Sequence, residues 1–336
     1  MASVLIFSFR AVAPILLIVA LGYLFKWRHP ENVAIYSGMN SLCYHLFLPI
    51  HVFLNIYNIK SLGDINWGFM VFIMFGILLA FGIGLLFSLP YRAQPEKRSV
   101  VIQASFRSNQ AVLGLPLALS VGGEESVGFV SMASALTVPV HTIMSVLVMS
   151  YYQKNTADPP GRRWKGILVG CLKNPLVVAS LAGLFVVFLR TVSERLLGAL
   201  PFTLEYSLPS VYKAAENLSK VGSPLMLFVL GTKLNFRSLS REFRVLALSI
   251  ALKLVIAPGA VIGLAVLLNG FLRIQVYEMP ALIAVFASSC AVSLPVLIQE
   301  MGGDEKLASQ IVVWTTALSM LTIFILVAVL RYFAYI

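Results

Sequence analysis

Two stretches decide how this chain is read: Gly114-Leu115-Pro116-Leu117-Ala118-Leu119-Ser120-Val121-Gly122-Gly123-Glu124-Glu125, and Ser293-Leu294-Pro295-Val296-Leu297-Ile298-Gln299-Glu300-Met301-Gly302-Gly303-Asp304-Glu305. Each sets a proline within a long apolar run and follows it with two glycines and two acids. Aligned on the paired glycines, the second stretch carries one inserted residue. A proline inside a membrane span removes a backbone donor and clashes with the carbonyl four residues earlier. In lipid the freed groups find no water, so a break survives only where protein or a wet cavity satisfies them. The two stretches therefore predict two interrupted helices.

The rest of the chain supplies the membrane. Hydrophobic residues make up 59% and charged residues 12%, where a soluble domain carries about a quarter charged. Mean hydropathy is +0.89. Apolar runs recur along the whole length, and a run of about 18 residues at ~1.5 Å per residue approaches the ~30 Å hydrocarbon core. Ten segments emerge, at roughly 5–25, 34–57, 68–89, 99–121, 127–150, 166–189, 209–231, 243–268, 279–300 and 307–332. The longest polar connections run from Tyr152 to Lys165, across Asp158-Pro159-Pro160-Gly161, and from Arg190 to Tyr206. The fold class expected is an all-α polytopic membrane protein of ten transmembrane helices.

Further matches place the two stretches in a repeat. Pro14 precedes Gly22 in the first span as Pro175 precedes Gly183 in the sixth, and Pro49 in the second answers Pro224 in the seventh. The order of these matches divides the chain into 1–160 and 161–336, each with five spans. Five is odd, so the second copy enters the membrane inverted. Inverted repeats with Gly/Pro-interrupted helices at equivalent places are the signature of a secondary transporter, and they point at its binding site.

The net charge of +11 does not indicate nucleic acid, because the basic residues sit in short loops between spans. With the N-terminus outside, the inner loops hold Lys26, Arg28, Arg92, Lys97, Arg98, Lys154, Arg162, Arg163, Lys165, Lys233, Arg237, Arg241, Arg244 and Lys306. The outer segments hold Lys60, Arg190, Arg195, Arg273 and Arg331. The positive-inside bias thus places both termini outside. The first run carries Arg10 and no cleavage site, and reads as a retained span. Cys43, Cys171 and Cys290 lie in apolar spans without CxxC spacing, which supports neither disulfides nor zinc. No HExxH, P-loop, GxSxG or dinucleotide fingerprint is present, so enzyme chemistry is unsupported and no cofactor is called for.

Arg107 is the informative charge. A cation near the bilayer centre costs at least ~2.5–3.5 kcal/mol on insertion scales, so it needs a partner or a task. No Asp or Glu stands deep in a span unless Glu216 or Glu300 reaches inward. An anionic substrate would supply the missing charge, gripped by the guanidinium, with Ser108 and Asn109 as neutral donors. The N-termini of the two half-helices would add positive dipole ends. The unwound part of the fourth span is expected over Ser108 to Leu115. The candidate substrate-binding residues are Arg107, Ser108, Asn109, Gly114, Pro116, Ser289, Cys290, Ser293 and Pro295. The competing structural reading makes both prolines simple kinks and lets Arg107 reach the inner surface. Lys253 and Lys173 read as snorkelling cations. Lys213, Glu216 and Lys220 read as a self-paired helix face, and His45, His51 and His141 as hydrogen-bonded core residues.

At these residues the sequence resembles the auxin efflux carrier family, the plant auxin carriers and their bacterial relatives. The resemblance rests on Ser108-Asn109-Gln110-Ala111-Val112-Leu113-Gly114-Leu115-Pro116 and on the stretch from Ser293 through Pro295 to Ser309. Weaker matches are the stretch from Asn40 to Pro49, Asn174-Pro175, Leu230-Gly231-Thr232-Lys233-Leu234, and Leu254 to Pro258. The resemblance implies a scaffold from spans 1, 2, 6 and 7 (about 1–60 and 161–235) and a transport part from spans 3–5 and 8–10 (about 66–152 and 242–336). It implies that spans 4 and 9 cross at their prolines, with substrate beside the crossing and elevator-type movement. It further implies a homodimer exporting small organic anions from a bacterial cytoplasmic membrane. The chain departs from the plant pattern in three places: residues 68–88 are uncharged, Ala291 stands where a polar residue is expected, and Arg107 is additional.

Two other readings share this architecture. One is a sodium-coupled organic-anion carrier of bile-acid type, with Asn109, Ser288, Ser289 and Gln299 as available oxygen ligands. The other is a ligand-sensing membrane domain without transport. The coupling ion (proton, sodium or none) stays open at this point.

Overall fold

The computed structural model describes residues 2–58, 67–153, 169–170, 172–197, 203–234, 239–272, 274–275, 277–333 and 335–336. Within its helices it describes only the backbone of residues 2–13, 15, 111–112, 115–116, 120, 124–125, 127–128, 131, 135, 153, 194–197, 223, 239–241 and 271–272. The Asp158-Pro159-Pro160-Gly161 breaker, Cys171, Lys60, Arg273 and the basic loop residues Lys154, Arg162, Arg163, Lys165 and Arg237 lie outside the described residues.

Among the described residues every regular element is helical. Helix α1 (Ala2–Arg28) is followed by α2 (Val33–Leu42), a π turn (Cys43–Phe47) and α3 (Leu48–Tyr57). Then come α4 (Trp67–Phe87), α5 (Pro95–Phe106), a π turn (Gln110–Gly114) and α6 (Leu115–Gln153), which is kinked at Gly123, where the backbone is not helical. The second part holds α7 (Pro175–Leu197), α8 (Pro209–Lys233), and α9 (Leu239–Ala251) running through a π turn (Leu252–Ile256) into α10 (Ala257–Leu267). It ends with α11 (Met279–Leu282), a π turn (Ile283–Ala287), α12 (Leu294–Glu300) and α13 (Glu305–Tyr332).

Among the described residues, five helical stretches are long and apolar enough to cross a membrane: residues 67–87, 132–152, 175–193, 242–267 and 305–332. Their outer faces are apolar too. Val71, Phe75, Leu78, Phe185, Leu321 and Ile325 are all more than half or nearly half exposed, a surface suited to lipid. The chain is an α-helical membrane protein. Several other segments expected as spans are shorter in helix or more polar for local reasons. The segments 99–121 and 279–300 are interrupted, α2, α3 and the π turn between them carry Asn40, His45, His51 and Asn55, and α8 carries Lys213, Glu216 and Lys220.

Three of the π turns end two residues before a proline: Cys43–Phe47 before Pro49, Gln110–Gly114 before Pro116, and Leu252–Ile256 before Pro258. A proline cannot donate to the carbonyl four residues back, and its ring crowds that carbonyl. Widening the preceding turn by one residue moves the carbonyl aside and lets the ladder resume. The helix therefore passes through each of these prolines. This corrects the expected position of the fourth-span break: Gln110–Gly114 is already helical, and the non-helical stretch is Arg107 to Asn109, opened by an extended Arg107.

Glycine sets the far end of each half-helix. Gly123 and Gly302 both have φ 73°, and each stands seven residues after its proline, Pro116 or Pro295. Such a left-handed residue stops a helix at little cost only when it is glycine. Gly123 and Gly302 thus hold the same position relative to their prolines.

Without a hydrophobic drive between helices in lipid, association rests on close packing. The tightest seam joins α1 and α8. A Cβ at Gly22 would lie 2.1 Å from the Phe228 carbonyl oxygen, and one at Gly231 would lie 2.0 Å from that of Val19. Two apolar cores fill the interior. One unites Val19, Leu48, Met226, Leu230 and residues 294–298 with Leu307 and Ile311, and the other unites α4, α10 and residues 281–287 with Phe106 and Ile323. The chain crosses from the second core to the first between Ala287 and Cys290.

Candidate functional site

Helix α5 stops at Phe106 because Arg107 turns extended, at φ −76° and ψ 120°. The π turn after α11 stops in the same way at Ser288, with φ −68° and ψ 160°. The two extended stretches meet. Asn109 N–H donates to the Ser289 carbonyl at 2.9 Å, the hydroxyls of Ser108 and Ser288 lie 2.5 Å apart, and Arg107 Nη2 donates to Ser293 Oγ at 2.7 Å. Gly114 holds the neighbouring turns close, since a Cβ there would sit 3.0 Å from Ala284 Cβ. Each break thus satisfies part of the other's backbone, which is what lipid burial demands.

The carbonyls left over where a helix ends inside the protein also find donors. Lys253 Nζ donates to the Phe286 carbonyl at 3.3 Å, and the Cys290 thiol to the Ala104 carbonyl at 3.4 Å. Lys253 is only 1% exposed, so it does not snorkel. A cation at the carbonyl end of an interrupted helix meets both its unpaired acceptors and its negative dipole end.

Beside the junction is a cavity of about 90 Å³. Arg107, Ser108, Asn109 and Gln110 come from the first break, and Ala291, Val292 and Ser293 from the second. Val138, His141 and Thr142 of α6 add a third wall, and the α3 residues Leu48, His51, Val52 and Asn55 a fourth, with Met226 of α8. Several polar atoms on these walls have no partner among the described residues: Arg107 Nη1, Asn109 Nδ2, Gln110 Oε1 and His141 Nε2. All four residues are more than nine-tenths buried. The Gln110 Nε2 donates to the Thr137 hydroxyl.

No carboxylate of the described residues pairs with Arg107. Glu216 is taken by Lys213 at 2.7 Å and Lys220 at 2.6 Å, as their spacing predicts. Glu300 accepts from Asn40 Nδ2 at 3.1 Å. Arg107 is 5% exposed, so reaching the surface does not relieve it either.

Of the sequence-selected residues, Arg107, Ser108, Asn109 and Ser293 reach the cavity wall. Ser289 contributes its carbonyl to the junction, Cys290 faces Ala104, and Gly114 packs on Ala284. Pro295 occupies the start of α12, and Pro116 lies in helical backbone with its side chain outside the described residues. The helix ends matter less than expected. The Asn109 N–H is already engaged by Ser289, and α12 has only seven residues to build a dipole. Gln110 and His141 were not selected. A signal for His141 existed: Thr137, His141 and Ser145 fall four residues apart and share one helix face, and all three are buried.

A further cation with a buried side chain lies away from the cavity. Lys233, ending α8, donates to the side-chain carbonyls of Asn40 on α2 and Gln299 on α12, and stands 3.8 Å from the Glu305 carboxylate of α13. Asn40 passes the network on to Glu300.

A family model described as membrane transport protein matches residues 7–327. Among curated proteins none matches the chain significantly. The match covers nearly the whole chain and agrees with the auxin efflux carrier motifs around Asn109, Pro116 and Pro295. The chain belongs to the membrane transport protein family, the auxin efflux carrier-like proteins, and is a membrane transporter.

Proposed function

We propose that this protein is a secondary transporter that exports small organic anions, binding them where the interrupted fourth and ninth helical segments meet. The observation that carries the reading is Arg107: a buried guanidinium with Nη1 unpartnered among the described residues, none of whose carboxylates pairs with it, beside a cavity that it lines. An anion supplies the missing charge and a bidentate acceptor, and Asn109 Nδ2 offers a second donor beside it.

In this reading the chain forms ten spans as two inverted five-helix repeats, with both termini outside. Spans 1, 2, 6 and 7 act as scaffold, and spans 3–5 and 8–10 carry the site through the bilayer as an elevator, in a homodimer. Three features support it. The proline-to-glycine spacing recurs at Pro116–Gly123 and Pro295–Gly302. The two breaks bond to each other. The cavity is walled by α3 and α8 on one side and by both breaks and α6 on the other, so relative movement of the two parts would open it.

Flux of radiolabelled organic anions into proteoliposomes tests the proposal. Arg107→Ala and Asn109→Ala should each abolish flux while the purified protein keeps the parent's elution profile and helical signal. Unchanged flux in both variants would remove these residues from the site.

A further inference from the structure

The walls of the cavity describe their ligand more narrowly than "organic anion". Resting on the proposed function, we infer that the substrate is a compact monocarboxylate carrying one hydrogen-bond donor, a short-chain hydroxy acid.

Charge comes first. One guanidinium faces the cavity, and one of its nitrogens is already spent on Ser293. The other deep cation, Lys253, is turned to the Phe286 carbonyl and is not on the cavity wall. One carboxylate is therefore matched at Arg107, with Asn109 Nδ2 as a second donor to it. A second carboxylate would find only neutral polar groups such as His51, Asn55 and Thr142 among apolar walls, and would be desolvated without a second cation.

The acceptor comes second. Gln110 lines the cavity and is 1% exposed, its amide nitrogen is held by Thr137, and its buried Oε1 has no partner among the described residues. A buried acceptor without a donor is costly. A ligand hydroxyl fills that need, and His141 Nε2 stands by as a further neutral partner. An ammonium group could also donate to Gln110. It would, however, bring a second positive charge beside Arg107 with no carboxylate of the described residues to offset it.

Size comes third. At about 90 Å³ the cavity is smaller than the ~150 Å³ engineered cavity that admits benzene. An acyclic acid of a few carbons fits within these walls, with its chain against Val52, Val138 and Met226, whereas a fused aromatic ring would extend out through the mouth of the cavity.

The test is binding to the purified full-length protein, by calorimetry and thermal shift, across matched probes. These are 2-hydroxybutyrate, butyrate, 2-aminobutyrate, malate and indole-3-acetate. The expected order places 2-hydroxybutyrate first, at least about tenfold tighter than each of the others, because a site that pairs a buried acceptor with a ligand hydroxyl rejects analogues lacking it. Gln110→Leu should erase the preference over butyrate while butyrate still binds, and Arg107→Gln should remove binding of both. If malate, indole-3-acetate or 2-aminobutyrate binds as tightly, or if butyrate equals 2-hydroxybutyrate, the inference fails and the anion-transport reading stands. If no anion of the panel binds, both fail. Should Gln110→Leu not fold, the parent's ranking decides alone.

Discussion

Arg107 and Lys233 are both cations withdrawn from water, and they are housed in opposite ways. Lys233 meets two side-chain carbonyls and a nearby carboxylate, and its partner Asn40 is in turn bonded to Glu300. Arg107 meets one serine hydroxyl and then an open cavity. Four helices converge on Lys233 and leave nothing for a ligand to supply. At Arg107 the protein withholds the counter-charge. A buried charge that is fully answered holds structure together, and one that is left unanswered marks the place where something else must arrive.

The largest expected effect separates the two at once. Arg107→Ala should lower anion flux by at least about 100-fold. Its thermal stability in detergent should hold or rise, because an uncompensated intramembrane cation costs ~2.5–3.5 kcal/mol. A variant that lost both flux and fold would make Arg107 a structural cation like Lys233, and the contrast would vanish. Arg107→Lys sharpens the point: it keeps the charge but not the planar fork, and flux should stay low.

Lys233→Met should do the reverse. Removing the donor leaves Asn40 and Gln299 with unmet acceptors, and stability should fall by about 1–3 kcal/mol. Flux per folded molecule should remain within tenfold of the parent. A melting curve shifted less than in Glu300→Gln, where one hydrogen bond worth about 0.5–1.5 kcal/mol is weakened, would show that the network does not depend on its cation.

The smallest effect belongs to an exposed pair. Lys97 and Glu242 lie 3.0 Å apart with both side chains more than a fifth exposed, so Lys97→Gln should cost under about 1 kcal/mol. Hydrogen bonding to the Glu242 carboxylate holds the Lys97 ammonium above its ordinary value of 10.5. A group raised in the folded state contributes below its unfolded value and loses that contribution as pH climbs through the folded one. The parent should therefore shed a small increment of melting temperature only above pH 10.5, and Lys97→Gln should lack that step.

Much of this was readable from the chain, and the reasons for the rest are physical. The prolines, Arg107 and Asn109 announce themselves locally, because each violates what an uninterrupted apolar helix tolerates. The exact break did not, since the π turn at Gln110–Gly114 absorbs Pro116 and shifts the extended stretch back to Arg107. Lys253 misled because snorkelling is the default for a lysine in a span, and the carbonyl that captures it belongs to Phe286, far along the sequence. Gln110 and His141 are brought to one cavity by the approach of α6 to the break, a tertiary fact that no single helix encodes. Sequence does not tell Gly122 from Gly123, because only backbone torsion sets Gly123 apart at φ 73°.

The contact between Gly22 and Gly231 carries a consequence for how such a molecule can change shape. Each glycine sits over a carbonyl oxygen three residues before the other, so the relation is reciprocal. Rolling either helix, or sliding it by one residue, would drive a neighbouring side chain into the opposite main chain. Compliance must lie elsewhere, and these two rods travel or stay as a single body. A methyl group at either position would wedge them apart by more than an ångström, and that gap would run the length of the joint.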